Sequence, residues 1–140
     1  MRYKPSDSEL LEIDTFSAEQ RLHYFLSRAV ESEEVWGLGD DAGWVLKDVD
    51  DKTIIPIWPY EALATACSQV ASTQTAFSKT SAMAVSLEQF VYSLLPQINH
   101  QNIQIEILPT KILPGKIMQA RDLSAILEGL MESGEYYMEG

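Results

Sequence analysis

The chain has 140 residues, 46% of them hydrophobic, and a formal net charge of −11 from 21 acidic against 10 basic side chains. That is enough apolar material to pack the core of one domain, and the acidity excludes the basic footprint that nucleic acid or an anionic membrane surface demands. A single cysteine, Cys67, excludes an internal disulfide framework; no apolar run approaches the ~18–20 residues of a membrane span, and the first residues lack the apolar stretch of a signal peptide, so a cytoplasmic protein is expected.

Residues 1–16 are polar and acidic and read as a loosely held arm. "SAEQ" at Ser17–Gln20 is a capping box, and Leu22, Phe25, Leu26, Ala29 and Val30 then recur at helical spacing to about Glu33. "VWGLGDDAGWVLKD" follows. Its two apolar runs flank Gly39, Asp40, Asp41 and Gly43, which predicts a β-hairpin of Val35–Leu38 with Trp44–Lys47. "DVDDK" reads as a second acidic turn and "TIIPIWP" as a third strand. Pro56 cannot donate to a ladder, so that strand is expected at an edge or with a bulge.

"YEALATACSQV" predicts a short helix, "ASTQTAFSKTS" a surface loop and "AMAVS" a brief strand. "SLEQ" at Ser86–Gln89 is a second capping box. The stripe Leu87, Phe90, Val91, Leu94, Leu95 and Ile98 continues it, with Pro96 weakening the last turn. In "IQIEILPT", Ile103, Ile105 and Ile107 alternate with Gln104 and Glu106, which predicts a strand with one apolar and one polar face. "KILPG" is a turn and "KIMQA" a further short strand. Leu123, Ile126, Leu127, Leu130 and Met131 make a last helix stopped at Gly134, and residues 134–140 are a tail. The order predicts one α+β domain over 1–140, with its globular part at 17–133: a single sheet of about four to six short strands packed with about four helices.

The candidate chemistry is sparse. The acids of the two turns, Asp40, Asp41, Asp48, Asp50 and Asp51, invite a hard cation or a phosphatase-like aspartate nucleophile. The spacing fits neither: there is no calcium-loop pattern, and Lys52 stands where the nucleophile motif needs Thr or Val. His23 and His100 form no close pair with each other or with Cys67, and "GLGDDAG" lacks the lysine and the helix of a phosphate loop. No catalytic, cofactor or metal residues are therefore assigned. The tryptophans Trp36, Trp44 and Trp58 fall on strands that carry bulky apolar groups on both faces, so one face is either covered or exposed as a binding patch.

The run "VESEEVWGLGDDAGWVL", then "IIPIWPYEALATAC", "AVSLEQFVYSLLP" and "IQIEILPT", resembles the bacterial family called domain of unknown function 2750 over roughly residues 20–131. Trp36, Asp40, Gly43, Trp44, Pro56, Trp58 and Pro59 carry the likeness. The loop at Ala71–Ala82 departs from it. The resemblance implies a fold and a bacterial cytosolic setting and brings no functional residues with it. A fainter fold-level likeness is to SseB-like N-terminal domains. The function expected on this basis is a non-enzymatic protein-interaction or regulatory module. Its surface would comprise Trp36, Trp44, Trp58, Tyr60, Asp40 and Asp41, its partner a protein, and a homodimer one form of it. A small-molecule pocket between sheet and helices is the alternative, and a metal-assisted hydrolase on the aspartates a third. No cofactor, nucleic acid or membrane is expected.

Overall fold

A computed structural model describes residues 6–40, 43–44, 47–49, 52–65, 81–109 and 115–133. In chain order these form α1 (Asp7–Ile13), α2 (Ala18–Ser32), β1 (Glu34–Asp40), β2 (Gly43–Trp44), β3 (Lys47–Val49) and β4 (Lys52–Ile57). There follow α3 (61–65), β5 (Ser81–Ser86), a continuous helix α4 (87–100), β6 (Gln104–Ile107), β7 (Lys116–Gln119) and α5 (Ala120–Ser133). The α+β class expected from the sequence is the class observed. Cys67, Asp41, Asp50, Asp51, the loop at 71–80 and the turn at 110–114 lie outside the described residues.

The strands make two sheets where one was expected. One has the order β2-β1-β5, all antiparallel; the other has the order β3-β4-β6-β7, with β4 and β6 parallel. A single antiparallel bridge joins them: Trp36 and Trp58 exchange both backbone hydrogen bonds at 2.8 Å. The segment read as one strand, Trp44–Lys47, is divided between the sheets. Trp44 pairs with Gly39 in the first, and Lys47 pairs with Ile54 in the second. Asp48 and Val49, read as turn, pair with Thr53 and Lys52.

This arrangement sets the surroundings of Pro56. Ile57 accepts the Leu108 N–H at 3.0 Å, so the backbone groups of Ile55 and Ile57 face β6. Those of Ile54, Pro56 and Trp58 face the other way. On that side the described pairs are Lys47 with Ile54 and Trp36 with Trp58, and Pro56 lies between them; residues 45 and 46 lie outside the described residues. The strand that carries Pro56 is interior, not the edge expected from the sequence.

Helix α2 starts as the sequence predicts, with the reciprocal Ser17–Gln20 capping box, and ends at Glu33 in the left-handed conformation (φ 61°). Ser86 caps α4 by accepting the Gln89 N–H at 3.1 Å. Leu87 N–H donates to Glu33 O at 2.8 Å, which ties the end of α2 to the start of α4. α4 does not fray at Pro96. It runs on to His100, and the turn before the proline widens to a π-helical one over Phe90–Leu94, with Leu95 N–H reaching Phe90 O. Proline lacks an N–H and crowds the carbonyl four residues back, here Tyr92, and the wider turn carries that carbonyl aside.

The supposed N-terminal arm contains a helix as well. Ser6 caps α1, Ile13 is buried, and Tyr24 of α2 donates its hydroxyl hydrogen to Glu9. The core lies between the helices and the sheet face bearing Ile55, Ile57, Ile105 and Ile107. Phe25, Trp58, Phe90, Leu123 and Leu127 also fill it.

Candidate functional site

The aromatic stretch that drew attention in the sequence is mostly interior. Trp36 is 5% exposed, Trp58 1% and Tyr60 6%. All three side chains are packed in the core, and Trp36 and Trp58 also form the seam between the sheets. Trp44 is half-buried, and its ring lies over Gly37: a Cβ built at Gly37 would stand 2.7 Å from the indole. Glycine at position 37 is thus the seat of Trp44. The side chain of Asp40 lies outside the described residues, as does all of Asp41. Among the described residues no three of His, Cys, Asp and Glu come together as a metal site, and no described helix is long and apolar enough to cross a membrane.

Two polar constellations stand out instead. The first is sealed. Arg21 of α2 is 1% exposed and donates to two main-chain carbonyls, that of Leu108 and that of Ile13, the latter at 3.1 Å. Burial lowers the Arg21 pKa, while Asp14 and Glu106 favour its charged form. Leu108, just past β6, holds a left-handed backbone (φ 57°), a conformation costly for a bulky residue. Its N–H bonds to Ile57 and its carbonyl to Arg21, so both polar groups that the unusual conformation presents are satisfied. Beside it Trp58 Nε1 donates to Pro109 O at 2.8 Å. Glu106 is 2% exposed and accepts the Gly115 N–H at 3.0 Å. The alternating pattern of β6 had placed Glu106 on a wet face; the chain returning at Gly115 buries it. This cluster locks α1, α2 and the end of β6 together, with Arg21 and Glu106 both buried.

α2 also carries Tyr24 and Arg28 toward α1. The Arg28 guanidinium lies 5.2 Å from the Tyr24 ring centre and 3.9 Å from Glu9. Burial of Tyr24, its hydrogen bond to Glu9 and the charge of Glu9 push the phenol pKa strongly upward. Burial opposes the Arg28 charge, but Tyr60, Tyr24 and Glu9 outweigh it and raise the Arg28 pKa.

The second constellation is open. At the N-terminal ends of the parallel strands β4 and β6 lies a groove of about 460 Å³, lined by Lys52, Thr53, Asn99, Gln101, Asn102, Ile103, Gln104, Gln119 and Ala120. That volume falls within the ~300–1,000 Å³ of small-molecule sites. Its construction follows from register. Gln104 pairs with Ile54 on one side and Gln119 on the other. Alternation along β4 brings Lys52 to the same face as Ile54, so Lys52, Gln104 and Gln119 share the polar face of the sheet. The wall is the turn that ends α4. Asn102 there adopts the left-handed conformation (φ 59°), which asparagine tolerates, and its N–H bonds Asn99 O at 3.1 Å. α5 begins at Ala120 on the rim. Gln104 Oε1 is buried and meets no hydrogen-bond partner among the described residues. A shallower groove of about 310 Å³ between α4 and α5 adjoins it through Asn99.

Sequence reasoning missed this groove. Its one sequence signal is the run "NHQNIQ" at 99–104, four carboxamides in six residues, but no motif marks it. Lys52 and Gln119 join it only through strand register.

Fold and groove together define a small two-sheet α+β domain with a polar cleft at one end of its parallel strand pair. The chain belongs to the family described as protein of unknown function (DUF2750), whose model matches residues 22–127. Every residue lining the larger groove falls inside that match, as do Trp36, Trp44 and Trp58; Arg21 lies one residue outside it. None of the curated proteins matches the chain.

Proposed function

We propose that the chain is a binding domain whose ligand is a small polar molecule held in the amide-lined groove. One observation carries this reading: carboxamides from the end of α4, from β6 and from β7 converge with Lys52 on a single cavity. A few convergent polar groups on a preformed concave surface are what ligand sites present. Among the described residues the groove's lining offers hydrogen bonds and one positive charge and no carboxylate, thiol or imidazole, a set suited to binding. The test is a proton–nitrogen correlation spectrum of the labelled protein with mixtures of neutral, anionic and cationic metabolites. Shifts confined to the groove residues are expected. Shifts elsewhere only, or none, refute the reading.

A protein partner or a second copy of the chain is the second reading, favoured by the 54% exposure of Tyr92 on the widened turn of α4 and the 70% exposure of Leu11. Sedimentation across a dilution series tests self-association: a concentration-dependent mass that a Tyr92→Ser substitution abolishes supports it, and a constant monomer mass removes the homodimer.

A further inference from the structure

We infer that the groove's ligand carries one anionic group on a hydroxyl-rich body, the class to which sugar phosphates and polyhydroxy carboxylates belong; this rests on the groove reading above.

Three observations lead there. The first is charge. The chain carries −11 overall, so an anion is repelled from most of its surface. Among the described residues the groove lining nevertheless has Lys52 and no carboxylate, and the first residue of α5, Ala120, lies on its rim. A helix of 14 residues presents backbone N–H groups and the positive end of its dipole at that terminus. Glu106 shares the sheet face two residues beyond Gln104, but it is buried and accepts from Gly115, and Asp122 of the first α5 turn is not in the lining.

The second is the amides. Each carboxamide presents two donors and an acceptor, which suits hydroxyl groups, since these both donate and accept. Among the described residues no aromatic side chain lines the groove to stack on a flat ring, and no acid lines it to hold a cationic one.

The third is Gln104. Its buried oxygen has no partner among the described residues, an arrangement that costs stability. Turning the amide toward a ligand gives up no hydrogen bond at that oxygen. A polar atom left unpaired at a stability cost is the pattern of a binding position.

The experiment titrates glucose 6-phosphate, glucose, glucosamine and inorganic phosphate into the labelled full chain, reading backbone and side-chain amide signals, for the natural protein, Lys52→Gln and Gln104→Met. Glucose 6-phosphate is expected to shift the signals of Lys52, Asn102, Gln104 and Gln119 and to bind at least tenfold tighter than the other three. Lys52→Gln should bring it down to the level of glucose. Gln104→Met should weaken it at least fivefold while raising the thermal midpoint of the free protein; a purely structural glutamine would lower that midpoint instead. Phosphate binding as tightly as the sugar phosphate would overturn the hydroxyl-rich body. Glucose or glucosamine binding as tightly would overturn the anionic group and leave the groove reading standing. Silence of the groove signals in all four titrations would overturn both.

Discussion

Replacing Arg21 with methionine tests the sealed cluster most directly. Methionine keeps most of the aliphatic stem but removes every donor. Two carbonyls, those of Leu108 and Ile13, then lose their guanidinium partner inside the protein. An orphaned buried acceptor costs about 1–3 kcal/mol. Glu106 also loses a favourable cation, and breaking a buried charge arrangement typically costs about 3–5 kcal/mol. The expected loss is therefore about 3–5 kcal/mol. Set against a total stability of roughly 5–15 kcal/mol, that leaves a folded but much weakened protein. For a chain of 140 residues it corresponds to a fall in the thermal midpoint of about 10–15 °C. Urea unfolding followed by circular dichroism measures it. Repeating the substitution in a Glu106→Gln background should reduce the loss by about 1 kcal/mol, because the carboxylate no longer needs the cation. A loss below about 1 kcal/mol, or an equal loss in both backgrounds, would refute the assignment of Arg21 as a buried lock.

The glycines give contrasting expectations. Gly115→Ala places a Cβ 2.1 Å from Ile107 O, a clash with backbone that should cost about 3 kcal/mol or more or prevent folding, read by the yield and melting of the purified variant. Gly129→Ala, within α5 and with nothing within 4 Å of the added atom, should stabilise by about 0.5–1 kcal/mol in the same melting assay; destabilisation would contradict the open surroundings of that position. Gly37→Ala should lift the Trp44 ring from its seat, red-shifting the tryptophan emission and costing about 1–2 kcal/mol; unchanged emission would refute the ring's placement over Gly37. Finally, folding raises the Tyr24 pKa, so the folded state holds the phenol neutral while the unfolded chain ionises it at about pH 10. The stability it contributes is complete below that pH and is lost as pH rises toward the higher folded value. Alkaline unfolding of Tyr24→Phe should therefore fall less steeply above about pH 10 than that of the natural protein, and parallel curves would show that Tyr24 does not take part.

How much was legible varies from element to element. The start of α2 could be read because its capping box and apolar stripe are local signals, satisfied within one stretch of chain. The same holds for the Ser86 cap and for the Ile105/Ile107 face of β6. The fate of the tryptophans could not, since burial of Trp36 and Trp58 depends on a bridge between segments that the sequence keeps 22 residues apart. Nor could the burial of Glu106: its polar identity predicted water, and only the return of the chain at Gly115 supplies a donor in water's place.

By itself, then, the sequence determined what short-range chemistry controls: the α+β class, most helix starts, the presence of strands and the acidic composition. Hydrophobic period, caps and composition act over a few residues and need no partner. Tertiary structure alone decided the division into two sheets, the interior place of Pro56, the arginine lock and the groove. Each of these is a property of which strands lie side by side. Parallel pairing of β4 with β6 and antiparallel return of β7 set Lys52, Gln104 and Gln119 on one face. Register of that kind is fixed by the packing of the whole core and leaves no mark at any single position.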